Sequence, residues 1–416
     1  MPGGFLKTIG LEPLTRVEGH GRVELDLDRG ELTAVRVALI ESPRLFESLV
    51  IGRSWQEIPA LVCRICAICS SVHRVASAAA LERALGVSVP PAAQLVRELL
   101  VLGGHIESHA LHLFCLVLPD ILGVESVMSL ASGGSAPARE GLQLKRLGNR
   151  IQEISGGRVI HPINVEVGGI LRLPEPSRLQ GLAEELEAWE GRIVDLLAVF
   201  ASPQSYPPSS GAIGVPLSVI GEEGFHLFGQ GLSLAGRMIA PAEYRELLGE
   251  EALPGSHAKS SRGAAGPFLT GALARLRNSG GEERGLPFGI FANNAAQSME
   301  LVEALRRARG LTREILALGD DEALRGEVRV GAGVGTEVIE APRGLLVHHY
   351  VLDDGGRVAR ADIVTPTAIN QEAMAAQILA DLQEVTDEAL LASRAEQIVR
   401  AFDPCISCAV HLVRIR

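Results

Sequence analysis

The sequence predicts a mainly helical α+β chain, with small β elements set around a helical centre and a single domain over residues 1–416. Three observations predict it. Long stretches carry apolar residues at helical spacing, short alternating runs bounded by Gly, Pro and Asp read as strands, and no composition break marks where a domain would detach. With 416 residues, 47% of them hydrophobic, the chain has ample material for a large core.

The elements follow in order. Residues 20–41 alternate apolar and polar around an Asp-Arg-Gly turn, the pattern of a hairpin. Helical spacing runs from about Ser70 to Leu85 and stops near Gly86, and Pro90-Pro91 opens a long helix through about Phe114. A helix over 178–200 has an acidic outer face. Residues 201–262, rich in Gly, Pro and Ser with short strand-like runs, read as a peripheral insertion, and two more helices are expected near 295–318 and 370–400.

Charge and composition exclude several function classes. A net charge of −11 makes nucleic acid and anionic membrane poor partners. The N-terminal "MPGGFLKTIGLEP" has no apolar signal region, so a cytoplasmic location is expected. The most apolar run, Leu99 to Val124, is interrupted by His105, Glu107, His109, His112 and Asp120. It reads as a buried helix, with no membrane insertion.

Two matched Cys-x-x-Cys pairs, Cys66/Cys69 and Cys405/Cys408, lie towards opposite ends of the chain. Spacing alone leaves three uses open: a structural zinc site, an iron–sulfur cluster, or a nickel or iron catalytic centre held by soft thiolates. The setting weighs against a zinc ribbon, because one pair leads into an apolar helix and the other lies hundreds of residues away. A site closed over so long a loop belongs at the centre of the tertiary structure. Cys63 and Cys115 read as buried free thiols. His105, His109 and His112 share one helix face without an HExxH arrangement and read as hydrogen-bonded core histidines.

In combination these motifs carry a specific resemblance. "RICAIC" (64–69) with His73, paired with "DPCISC" (403–408) and His411, resembles the large subunit of [NiFe]-hydrogenases. "RVEGHGRVEL" (16–25), "ESPRLFE" (41–47), "HPINVEVGG" (161–169), "GPFLTGALAR" (266–275), "EAPRG" (340–344) and "TPTAIN" (365–370) agree in order, so the likeness spans nearly the whole chain. The length and short histidine ending are similar to the cytosolic, cofactor-coupled (group 3-like) branch. Ala67 departs from the family's usual glycine between the first two cysteines.

The resemblance implies that Cys66, Cys69, Cys405 and Cys408 bind nickel, with Cys69 and Cys408 bridging to an iron that carries CO and cyanide. It implies Cys405 as proton acceptor and Glu18 as proton relay. Arg343 would lie over the centre, oriented by Asp120 and Asp403. Pro366 and Thr367 would line the cofactor, with the Thr367 hydroxyl donating to a cyanide, and His73 would donate to a bridging sulfur. Glu47, Ile363 and His411 would hold a magnesium or similar divalent ion. Residues 412–416 would be a tail removed by a maturation protease.

The function expected is reversible heterolytic cleavage of H2. With four of six cysteines committed, no cluster set remains, so an iron–sulfur small subunit is needed. Further flavin- and NAD(P)-binding subunits are expected, since no G-x-G-x-x-G fingerprint follows a strand. The alternative readings are a regulatory hydrogen sensor, a quinone-site relative and a zinc-stabilised protein.

Overall fold

The computed structural model describes residues 6–42, 45–221, 227–234, 236–263, 266–281, 283–319 and 321–410. His411 and the 412–416 tail lie outside the described residues.

The centre is helical. Pro91–Ala110 packs between Ala136–Gly156 and Ala292–Leu316, which in turn receives Pro176–Glu190. Pro91 starts the long helix where a missing N–H costs nothing. The helix overruns the expected end at Phe114. It widens into a π segment, Leu111–Val117, and closes with Leu118–Ile121. Pro119 explains the change of winding, since it has no N–H to return to the carbonyl four residues back. This helical run is long and apolar enough to cross a membrane, yet 89% of its most apolar window is buried inside the protein. It is a core helix.

Two expected helices are each broken. The 178–200 stretch forms Pro176–Glu190 and Ile193–Ala201, split at Gly191, where glycine raises the cost of continuing the helix. The 370–400 stretch forms Pro366–Leu382 and Glu388–Ala401. There the Asp387 carboxylate accepts from Leu390 N at 2.8 Å and caps a new start. The Ser70–Leu85 helix ends as expected, with Gly86 in the left-handed conformation.

Around this centre lie small sheets. The expected hairpin is Gly21–Asp28 with Glu31–Leu39, joined on its outer edge by Leu6–Leu11. An antiparallel sheet of Gly333–Ala341, Gly344–Leu352 and Val358–Val364 packs on the Ser70–Leu85 helix and is not expected from the sequence. Its middle strand is buried on both faces, so it shows no alternation to read. The 201–262 segment supplies Val215–Ile220, which pairs in parallel with Phe268–Leu269, and Lys259–Arg262, which packs on the Pro366–Leu382 helix.

Candidate metal centre

Four sulfurs meet where these elements converge. Cys66 and Cys69 lie in the turn leading into Ser70–Leu85, while Cys405 precedes the short Ile406–Ala409 helix and Cys408 lies within it. Cys405 Sγ lies 3.4 Å from Cys66 Sγ, 3.9 Å from Cys69 Sγ and 3.1 Å from Cys408 Sγ. All four are buried, unoxidised and mutually within 4.8 Å.

The quartet fits a soft metal. Thiolates about 2.3 Å from a tetrahedral metal stand ~3.8 Å apart, close to the spacing found. Ionised, four buried thiolates this close would repel one another, and a cation bound between them removes that cost. Arg343 adds a second sign of fit. Its Nε donates to Asp403 Oδ1 at 2.9 Å and its Nη1 lies 3.8 Å from Cys69 Sγ, while Nη2 is buried without a partner among the described residues. An unpaired buried guanidinium donor beside thiolates suits an anionic ligand.

The surrounding side chains hold this arrangement. Burial alone would push the Asp403 carboxyl up, but the adjacent Arg343 more than offsets it and the net shift is downward. Gln297 Nε2 donates to Asp403 Oδ2 at 3.1 Å, and His112 Nδ1 lies 3.8 Å from the same oxygen. Asp403 has a left-handed backbone (φ 52°), which short polar side chains tolerate and which turns the chain into Cys405. Thr367 Oγ1, in the first turn after Pro366, accepts from Cys405 N at 2.8 Å, leaving its own proton free to donate.

Glu18 reaches the sulfurs from the N-terminal sheet. Its carbonyl accepts from Ile406 N at 3.0 Å and its carboxylate accepts from Ser407 N at 3.1 Å. Gly19 makes this approach possible: its φ is +84°, and a Cβ there would fall 2.8 Å from Ile406 Cβ. Burial raises the Glu18 pKa, the nearby Cys66 charge raises it further, and hydrogen bonds from Ser407 and Cys405 pull it back only in part. Glu18 is not engaged by the nearby Arg16, which pairs with Asp120.

Asp120 requires a correction. Expected beside Arg343, it instead pairs with Arg16 and accepts from Arg400 Nε at 2.7 Å. Two arginines from distant parts of the chain claim the carboxylate at the end of the overrun helix, and Asp403 alone serves Arg343 as its carboxylate partner among the described residues.

His73 Nε2 lies 3.7 Å from Cys408 Sγ, and burial lowers its pKa to about 4, so the ring is neutral. Sequence reasoning misses what stands behind it: His348 and then Tyr350, both on the buried strand Gly344–Leu352. The "VHHY" of that strand is the available signal. His105, His109 and His112 are buried and hydrogen-bonded, as expected, to Val101 O, Glu300 and Gln297.

Glu47 is buried near the other end of the site. Its Oε1 accepts from Ile363 N at 2.9 Å and from Lys259 Nζ at 3.2 Å. Glu250 and Asp362 join it, so three carboxylates surround one ammonium.

Comparison with known proteins agrees with this geometry. The family model described as nickel-dependent hydrogenase matches residues 44–137 and 297–411. The chain belongs to the nickel-dependent hydrogenase family. A HoxL-like model also matches residues 8–41. The alpha chain of sulfhydrogenase 2 from Pyrococcus furiosus is 38% identical, over 98% of this chain and 100% of the relative. The corresponding chain of the vhu F420-non-reducing hydrogenase from Methanococcus voltae is 31% identical, over 88% and 96%. Among solved structures, an NAD+-reducing [NiFe]-hydrogenase in the H2-reduced state superposes with a TM-score of 0.81 at 29% identity, covering 97% of this chain and 99% of that one. The Ni-Fe-Se hydrogenase of Desulfovibrio vulgaris Hildenborough shares the fold, with a TM-score of 0.77 at 22% identity over 98% and 100%. This hydrogenase has the α+β large-subunit fold, and its four-cysteine cluster is the nickel–iron site.

Proposed function

We propose that the chain cleaves and forms H2 reversibly, with the residues below dividing the work. The observation that carries this reading is the buried thiol quartet with an arginine set against Cys69. When bound, the nickel–iron centre supplies the Lewis acidity and electron storage that heterolytic cleavage requires.

The protein's own groups do the rest. Cys66, Cys69, Cys405 and Cys408 would hold the centre, with Cys69 and Cys408 the thiolates that would be shared between its two metals. Cys405 Sγ accepts the proton, and Glu18, in hydrogen-bonding contact with Cys405, carries it outward. The raised pKa of Glu18 suits a group that both takes and releases protons. Arg343 Nη2 and the Thr367 hydroxyl are the donors that would serve anionic ligands of the iron, and Pro366 would shape the wall beside them. Asp403 fixes the plane of the Arg343 guanidinium. His73 donates to the bridging sulfur of Cys408.

Glu47, the Ile363 carbonyl and His411 hold a magnesium or similar ion near Lys259. Three carboxylates against the Lys259 ammonium and the Arg245 guanidinium leave negative charge for such an ion, and oxygen donors suit it. Electrons leave through an iron–sulfur small subunit, because Cys63 and Cys115 are buried apart from the quartet and provide no cluster set. An NAD(P)-binding assembly follows, by likeness to the NAD+-reducing neighbour, with a flavin-binding subunit as its expected companion. The complex works in the cytoplasm, and a maturation protease removes residues 412–416 after metal loading.

The test uses the complex purified from its native host. Nickel and iron in equal amounts, infrared bands of metal-bound CO and cyanide, and H2-dependent dye reduction are expected together. Zinc alone, or no turnover of H2, would defeat the reading. Mass spectrometry should show the active chain ending at His411.

A further inference from the structure

Arg343 is held at its side-chain end by Asp403, but a guanidinium is aimed only as well as the backbone beneath it. Arg343 sits in the tight turn between Gly333–Ala341 and Gly344–Leu352. Beneath that turn lies a buried arginine with no part in the site described so far. Arg275, on the helix Ala272–Asn278, donates to Ala341 O at 3.3 Å and to Pro342 O at 3.2 Å, the two carbonyls just before Arg343. It also donates to Glu300 (2.6 and 2.7 Å) and Glu340 (2.5 Å). The Glu300 carboxylate is itself shared with His109 Nε2 at 2.9 Å, which ties it to the long core helix.

The other side of the turn is gripped as well. Leu345 N donates to Thr270 Oγ1 at 2.8 Å. Gly344 has a φ of +129°, and a Cβ there would fall 2.6 Å from the Thr270 side chain, so the contact is close. Thr270 is in turn paired twice with Asn370, through its N–H at 2.8 Å and its carbonyl at 3.1 Å. Asn370 lies one turn beyond Thr367 on the helix Pro366–Leu382. The turn bearing Arg343 is therefore fastened on both flanks, and on one of them to the helix that also places Thr367.

We propose that Arg275, with Thr270, is a positioning residue for Arg343: it acts on the reaction by fixing the backbone that aims the guanidinium, while touching neither metal nor substrate. This rests on the role given to Arg343 above. The physical ground is that preorganised donors act only within a narrow tolerance, and a displacement of about 1 Å can cost on the order of 100-fold in rate. The choice of residue also has a reason. A planar fork can serve two carboxylates and two carbonyls at once, which a lysine ammonium cannot. Burying two glutamates requires a cation between them, and Arg275 fills both needs.

The test is a double-mutant cycle in the purified complex, with Arg275→Lys, Arg343→Lys and the combination. Nickel and iron content, thermal midpoint and the nickel electron paramagnetic resonance spectrum are recorded for each. Lysine keeps the charge between Glu300 and Glu340 but loses the fork. Arg275→Lys should load metal normally, lose on the order of 10-fold in kcat for H2 oxidation, and shift the nickel resonance in the same direction as Arg343→Lys. In the Arg343→Lys background the same change should cost less than about 2-fold, since the residue it aims is already gone. Fully additive losses, or an unshifted resonance with lost activity, overturn the clamp alone. Wild-type activity in Arg343→Lys overturns the role of Arg343, and the clamp with it. Should Arg275→Lys not yield folded protein, Thr270→Val runs the same cycle. It removes the acceptor of Leu345 N without moving a charge, and the same non-additivity is expected.

Discussion

His73 Nδ1 lies 3.0 Å from His348 Nε2, so two buried imidazoles stand end to end between Tyr350 and Cys408. Their hydrogen-bond order sets every proton. If His73 Nε2–H points at the Cys408 sulfur, His73 Nδ1 must accept. His348 Nε2 then donates to it, and His348 Nδ1 accepts from the Tyr350 hydroxyl at 2.8 Å. His73→Leu should lower the nickel midpoint potential, because the thiolate loses a donor and becomes more electron-rich, with roughly a 10-fold loss of activity or metal affinity. Tyr350→Phe should shift the potential in the same direction but less. Redox titration followed by infrared bands checks both, and an unchanged potential in His73→Leu removes the chain from the tuning of the centre.

Cys69→Ser and Cys408→Ser should each abolish assembly of the bimetallic centre, because each sulfur is assigned to both metals. Cys63→Ser should load normally, since Cys63 is buried outside the quartet. Nickel and iron analysis decides this. Wild-type content in either of the first two variants would count against bridging.

Glu18→Gln should keep its metals and still activate H2, but hydrogen–deuterium exchange with solvent should fall by at least ~100-fold. The amide can still accept from Ser407 N, so the local fold survives, but it cannot carry a proton. Mass-spectrometric isotope exchange is the measurement, and wild-type exchange would place the pathway elsewhere.

The site is legible in the sequence where chemistry is written in residue type and spacing. That holds for the two cysteine pairs, whereas Glu18 and Arg343 are legible only through the resemblance of the motifs around them, and the fold brings all of them together. Asp120 misleads because a resemblance places a carboxylate without saying which arginine will reach it; Arg16 and Arg400 arrive from more than a hundred positions away. His348 and Tyr350 are hidden for another reason. Their strand is buried on both faces, so it lacks the alternation that marks a strand, and the sheet of 333–364 is hidden with it. The break at 383–387 does have a signal in Asp387, whose cap starts a second helix.

Glu300 offers a pH test away from the metals. Burial alone would raise its pKa, but Arg275 and then His109 override this and hold it at about 2, below its ordinary 4.5. A depressed carboxyl contributes stability that is complete above pH 4.5 and fades as pH falls towards 2. Glu300→Gln should therefore be less stable than the parent at about pH 6, with the difference narrowing as pH drops through that window. Denaturant unfolding at several pH values measures it, and a gap independent of pH would mean that Glu300 is not held ionised by its neighbours.

Cys405 Sγ rests 3.4 Å from Cys66 Sγ across 339 positions of chain. During translation the first thiol pair leaves the ribosome long before the second exists. At about 5–20 residues per second the interval is on the order of tens of seconds. Throughout that time Cys66 and Cys69 form half a soft-metal site in a cell that contains zinc. Correct loading therefore depends on keeping a nascent dithiol vacant, and the demand for an escort is set by the order in which the sulfurs are synthesised.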